Sequence, residues 1–449
     1  MNIRTKHTHV CFCLVVLLTL CFTSVSMAAA GDGVESDGFN LGVGLDLFTG
    51  INTNVFYEDG EGASGDTNAA PVVRLVPSLR LSTINPKNVN LAANANLGLV
   101  FFFGDEALSS QSSVEWNTGL SSHFFPNSAV SFRLLGDINR SNQPSNKEGQ
   151  DNYSQNIFGL GGVLGIHPGG RALQGFLGYK YSLFRFDTFS DSEIFDGALA
   201  STDLGSLNKD QHALNGRVLY ELLPKTVVSF NADWRIISYE QALRTPPGGG
   251  PSTGLKNVDS KPLRLKAGIN GLITEGLGAK LFAGYGNGFY EEGENPNTFL
   301  LDAELSYNFG FERQSNVRLG YSKGFRDATL GSFYTTNRIY MAYAQKLLDE
   351  KLGATAEAGV DFRDYALETT GNVSTDSGVF RIPSELTDTY INLDVGLRYQ
   401  LTSYAHLGAT YGFLTNLTSA NADVIAGVQD IQGRDFVQHI IFLNAGVAY

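Results

Sequence analysis

The chain has 449 residues, with 32 basic against 45 acidic side chains and a formal net charge of −13. That balance excludes a surface built to bind phosphate backbones, and with it a nucleic-acid partner. Cys11, Cys13 and Cys21 are the only cysteines, so the chain beyond them offers neither disulfides nor thiolate metal ligands. A hydrophobic fraction of 43% and a mean hydropathy of −0.07 fit an ordinary soluble protein equally well, so the pattern along the chain has to decide.

Residues 1–30 read as a secretory signal peptide. Arg4 and Lys6 form a positive start, Val10 to Val25 an apolar run, and Ser26-Met27-Ala28-Ala29-Ala30 a small-residue cleavage site. The run is too short for a spanning helix, and no later segment reaches the ~20 continuous apolar residues that one needs. An uncleaved anchor is disfavoured by Gly31-Asp32-Gly33 directly after the run, and a lipoprotein box by the bulky Leu20 before Cys21. Cleavage leaves residues 31–449 as one domain, free of cysteine, and takes the formal charge from −13 to −15 by removing Arg4 and Lys6. A thiol-free chain suits an oxidising periplasm.

From residue 40 the chain alternates with period two. Leu41, Val43, Leu45, Leu47, Thr49, Ile51, Thr53 and Val55 interleave with Asn40, Gly42, Gly44, Asp46, Phe48, Gly50, Asn52 and Asn54. The same dyad runs through Val89–Phe101, Leu263–Asn270 and Ile391–Gln400, and each parity takes its own face of a strand. A soluble sandwich also alternates. Segments of about ten residues repeated along one chain instead suit an apolar exterior in lipid and a polar interior.

Short turns fall at Asn85-Pro86-Lys87, Pro126-Asn127, His167-Pro168-Gly169-Gly170, Pro224-Lys225, Glu275-Gly276, Gln314-Ser315-Asn316, Asp349-Glu350-Lys351 and Thr402-Ser403. Longer polar stretches lie near residues 58–70, 104–113, 140–154, 187–211, 240–260, 290–298, 327–336, 364–387 and 415–434. The two kinds alternate strictly. The expected fold is therefore all-β: a transmembrane antiparallel β-barrel of about 18 strands, with 16 as the lower count. Its short turns face the periplasm and its long loops the outside. In hydrocarbon every backbone group must be paired, which a sheet achieves only by closing.

The last strand alternates Ile441, Leu443, Ala445, Val447 and Tyr449. It resembles the C-terminal strand by which bacterial barrel proteins are recognised for assembly. Phe124, Tyr179, Tyr285, Phe311, Tyr321 and Tyr399 are expected in aromatic girdles near strand ends. The short stretch ahead of the first strand disfavours a plugged TonB-dependent transporter.

Parity assigns an interior. Its basic candidates are Arg74, Arg80, Arg133, Lys180, Arg217, Arg235, Arg264, Lys266, Lys280, Arg318, Arg338 and Arg398. Its acidic ones are Glu115, Asp137, Glu221, Asp233, Asp302, Glu304, Glu357, Asp361 and Asp394. The wall is thus mixed and slightly basic, while the acidic excess sits in loops such as Glu58-Asp59-Gly60-Glu61 and Glu291-Glu292-Gly293-Glu294. A basic wall lowers the barrier for anions; the alternative is that these charges pair across strands and brace it. Tyr239, Phe282, Tyr290 and Tyr340 are interior aromatics, suited either to sliding sugar rings or to packing on neighbouring glycines. Gly159-Leu160-Gly161-Gly162 and Gly284-Tyr285-Gly286-Asn287-Gly288 lie inside strand patterns and are not phosphate loops. The histidines have no metal-ligand spacing, and the acidic loops match no calcium loop. No catalytic residue, metal or cofactor is expected; His212 beside Asp210 is the nearest approach to a catalytic pair.

The stretch G-Y-G-N-G-F-Y-E-E-G from Gly284, the run from Leu300 to Tyr340, and V-V-R-L-V-P-S-L-R-L from Val72 resemble an outer-membrane β-barrel porin family associated with exopolysaccharide biosynthesis and export clusters. The resemblance implies a part in polysaccharide export, with periplasmic export proteins as partners. Outer-membrane lipid, lipopolysaccharide and the barrel-assembly machinery are the other expected partners. The strand count and basic interior also fit a passive porin for small anions or sugars, and a closed structural or adhesive barrel is the third reading.

Overall fold

The computed structural model describes residues 34–36, 38–55, 69–84, 88–104, 108–109, 111–141, 154–168, 172–186, 204–241, 257–310, 314–328, 332–366, 371–375, 378–382, 385–421, 429–430 and 435–449. The expected signal segment and Phe311 lie outside them.

Eighteen strands form the wall. They are β1 (Phe39–Asn52), β2 (Ala70–Thr83), β3 (Val89–Phe102), β4 (Ser113–Phe124), β5 (Val130–Ser141) and β6 (Gln155–Ile166). Then come β7 (Leu173–Phe186), β8 (Lys209–Leu223), β9 (Thr226–Tyr239), β10 (Leu263–Leu272), β11 (Leu277–Asn287) and β12 (Asn297–Phe309). The last six are β13 (Ser315–Asp327), β14 (Phe333–Leu347), β15 (Leu352–Ala366), β16 (Glu385–Gln400), β17 (Ala405–Asn421) and β18 (Phe436–Ala448). Each pairs antiparallel with its sequence neighbours, and β18 pairs with β1 from Gly44↔Ala448 to Asn52↔Ile440. The sheet is closed. A three-residue strand, Val34–Ser36, extends it beside β1.

The residues settle which face is which. Leu41, Leu47, Leu120, Leu160, Leu177, Phe230, Leu281, Leu305, Ile339, Leu397 and Leu443 are exposed apolar side chains, and all share one parity set across the ladder. Exposed leucine all round a closed wall makes sense only in lipid. Among the described residues the register shifts between Thr226 and Val227, at a turn, which leaves the parity of the spans intact. Eighteen strands at ~4.8 Å spacing and ~40° tilt give a backbone radius of about 18 Å.

All eight short turns fall at one end. Boundaries move mainly at the other. β8 starts at Lys209, β15 runs to Ala366 and β17 to Asn421, all inside stretches read as loop. Pairing continues above the hydrocarbon, where lipid no longer imposes an apolar alternation, so the sequence pattern stops before the strand does. The β15–β16 connection also holds a hairpin, Gly371–Thr375 with Gly378–Ile382, joined in parallel by Gln429–Asp430 from the β17–β18 connection. Among the girdle positions, Phe124, Tyr285 and Tyr399 face outward at or near strand ends. Tyr179 and Tyr321 face outward from mid-strand instead.

Candidate functional site

The register places Arg74, Arg80, Arg133, Lys180, Arg217, Arg235, Arg264, Lys266, Lys280, Arg318, Arg338 and Arg398 on the inward face, with the nine acidic candidates. They do not behave alike. Six are held by carboxylates. Arg74 meets Glu115 at 2.8 Å, Lys180 meets Asp137 at 2.6 Å, and Lys266 meets Asp302 at 2.6 Å. Arg235 and Arg264 share Asp233, at 2.8 and 3.5 Å, and Arg338 takes Glu357 at 3.1 Å.

Three of these pairs skip a strand. Side chains two strands apart start roughly 10 Å from each other, and a side chain between them would stand in the way. Arg74 on β2 reaches Glu115 on β4 over Gly98, where a Cβ would lie 3.2 Å from the carboxylate and 3.5 Å from the guanidinium. Lys180 on β7 reaches Asp137 on β5 over Gly159. Lys266 on β10 reaches Asp302 on β12 beside Gly284, the residue opposite it. His406 lies 3.2 Å from Asp46 across Gly446, and the Tyr340 hydroxyl donates to Glu304 across Gly320. Glycine therefore lets these polar pairs lie along the wall, leaving the axis clear. Phe282 likewise covers Gly268, so at Phe282 and Tyr340 the packing role of the interior aromatics is the one seen.

One sector is narrowed from above. The β12–β13 ladder ends at Leu301↔Lys323, although both strands continue. Beyond that point the β13–β14 hairpin leans into the barrel. Phe325, 3% exposed, touches the inward face of β11 at Gly286, and Arg264 on β10 donates to its carbonyl oxygen at 3.1 Å. The Arg264 guanidinium also covers the Phe325 ring at 4.2 Å. Tyr290 donates to Asp327 at 2.8 Å and stacks on Phe333. Burial, then the Asp327 carboxylate, pushes the Tyr290 phenol above its usual range, so it stays a donor. On the hairpin's other side, Ala328 and Tyr334 pack with Tyr365 and Leu386.

Parity reading missed Arg363, which is central here. It is 4% exposed, pairs with Asp361 at 3.0 Å, and lies between the Tyr334 and Tyr390 rings at 5.3 and 4.6 Å. Its place one residue before a presumed loop hid it; continuing the period past Asp361 would have found it. Lys209, also missed, sits between Phe184 and Tyr239. His212 does not meet Asp210. It faces outward, 2.7 Å from the Tyr179 hydroxyl, while Asp210 binds Arg185 at 3.0 Å and Tyr181 at 3.1 Å.

A closed, even-stranded barrel with an apolar outside and a charged inside is a β-barrel of the outer-membrane class. No family model and no curated protein matches the chain. Among solved structures it is similar to the outer membrane protein OpdK of Pseudomonas aeruginosa, with 10% identity, TM-score 0.47, and coverage of 91% of this chain and 99% of that one. It is similar also to OccK3 (OpdO) of P. aeruginosa, with 11% identity, TM-score 0.44 and coverage of 91% and 96%. For OccAB3 of Acinetobacter baumannii the values are 10%, 0.47, 92% and 99%.

Proposed function

We propose that this protein is a passive, selective diffusion channel for small hydrophilic solutes, anions or sugars, across the outer membrane. The observation that supports this reading is a lumen whose bridged charges lie flat over glycines, narrowed among the described residues by the packed β13–β14 hairpin. Such a passage suits a small solute better than a polymer, and the export reading keeps only the sequence resemblance behind it. The wall itself has the chemistry of a permeation surface, with paired charges and hydroxyls in reach of water and no buried apolar plug among the described residues of the lower half. The same reading includes a cleaved signal peptide, lipopolysaccharide around the apolar belt and the barrel-assembly machinery at β18 as partners.

Swelling of liposomes carrying the folded protein tests it, with neutral sugars graded from mono- to oligosaccharides. Swelling in monosaccharide that falls off steeply with size is the expected result. Equal rates for long oligosaccharides return the export reading, and no swelling from correctly folded barrels leaves the closed structural one.

A further inference from the structure

Six of those twelve inward bases have no carboxylate partner among the described residues, and the six are not scattered. Arg80 lies three residues from the short-turn end of β2, Arg133 three from that of β5, Lys280 three from that of β11, Arg318 three from that of β13, and Arg398 two from that of β16. Arg217 stands one step higher, six residues from the end of β8. All six are exposed. At ~3.3 Å per residue and ~40° tilt they line a band roughly 5–15 Å above the periplasmic rim. The paired bases Arg74, Arg235, Arg264, Lys266 and Arg338 lie in the outer half of their strands or at mid-height.

The acids at the lower level are fewer. Glu221 lies two residues from the end of β8, and Glu35, opposite Asn40, sits below β1. At Arg217's height are Asp394 and Glu304; Glu304 stands opposite Lys280 but accepts from Tyr340. Glu357 there is taken by Arg338. Positive charge remains in excess. Partnered by Arg133 at 3.5 Å and Arg398 at 3.1 Å, His123 and His406 add donors rather than negative charge. Among the described residues the outer end presents acids instead: the β11–β12 connection carries Glu292 and Glu294.

Resting on the channel reading above, we infer that the periplasmic mouth is the ion-selectivity element of this pore. Arg80, Arg133, Arg217, Lys280, Arg318 and Arg398 enrich anions there, and the charge asymmetry between the two mouths makes the current rectify. On strands two to four apart, neighbouring bases stand ~13–25 Å apart at the backbone and closer at their tips. The Debye length is ~10 Å at 0.1 M salt and ~3 Å at 1 M. Their fields therefore merge into one ring at low salt and separate at high salt. The bridged charges above add less net field, because their six bases lie within 4 Å of five acids, Arg235 and Arg264 sharing Asp233.

The test is reversal potential and current–voltage asymmetry of the full-length protein inserted in one orientation in a planar bilayer, under KCl gradients centred on 0.1 M and 1 M. Wild type is expected to prefer chloride and rectify at 0.1 M, and to lose most of both at 1 M. The triple variant Arg80→Gln/Arg318→Gln/Arg398→Gln is expected to lose most of the preference at 0.1 M while still conducting. The paired neutralisation Lys266→Gln/Asp302→Asn, which leaves the net charge unchanged, is expected to keep it. Full selectivity in the triple variant, its loss in Lys266→Gln/Asp302→Asn, or a wild-type preference unchanged at 1 M overturns the inference while the pore reading stands. Absence of any current from folded wild type sinks the pore reading itself.

Discussion

Lys180 and Asp137 stand two strands apart and close a 2.6 Å ion pair across the bare backbone of Gly159. A Cβ at Gly159 would lie 2.5 Å from the lysine side chain and 2.6 Å from the carboxylate. Both atoms belong to movable side-chain ends, so alanine is tolerable and a branched side chain is not.

Gly159→Leu is therefore expected to destabilise the folded barrel by roughly 1–3 kcal/mol, the range for overpacking a fitted site. Urea unfolding followed by heat-modifiable gel mobility measures it. In a Lys180→Met background the same substitution should cost clearly less, because the two sites share the pair. Equal costs in both backgrounds would show that the glycine serves the strand and not the bridge.

The lean of the β13–β14 hairpin depends on Arg264. Replacing it by Gln removes a charged donor to the Phe325 carbonyl, an interaction worth about 1.5–3 kcal/mol. The ratio of docked to undocked hairpin should fall by about 10- to 150-fold. Single-channel records are expected to show added noise and a larger open level. A quiet, unchanged trace would mean that Tyr290–Asp327 and the Ala328–Tyr334 packing hold the hairpin without it.

Tyr340 lies on Gly320, the residue opposite it on β13. Gly320→Val should displace the ring, part its hydroxyl from Glu304, and cost on the order of 1–3 kcal/mol. Freed of that donor, Glu304 would stand beside Lys280 and Arg318, so anion preference should drop as well. Reversal potentials at 0.1 M KCl check this.

The two faces predict opposite tolerance. Ile339, half exposed on the lipid side of β14, should lose about 2–4 kcal/mol on conversion to Arg near the bilayer centre. Ser322, on the inward face next to Arg338, should accept Arg with little loss of stability. Refolding yields into lipid vesicles and unfolding midpoints separate the two; similar losses would invert the assignment of faces.

How much of this is legible in the sequence follows from which forces act locally. Lipid imposes its demand residue by residue, so the dyad through Leu41–Asn52 or Ile391–Gln400 announces strands, and Pro224-Lys225 announces a turn without reference to anything distant. Parity then sorts Arg80 from Leu81. The demand ends where the hydrocarbon ends, and there β15 ran on through Arg363 unnoticed.

Pairing of charges is a different matter. Nothing near Lys180 in sequence names Asp137, and Arg80 and Arg74, six residues apart on one face, look equivalent. The tertiary structure separates them, because only closure of the wall sets Gly98 between Arg74 and Glu115 and leaves Arg80 facing Gly42 and Asn94. The sequence by itself determined a closed barrel, its two faces and the sign of its interior, since each follows from a two-residue period in lipid. Which bases are bridged, which stand free, and where the hairpin leans were decided by register between distant strands, which no local pattern encodes.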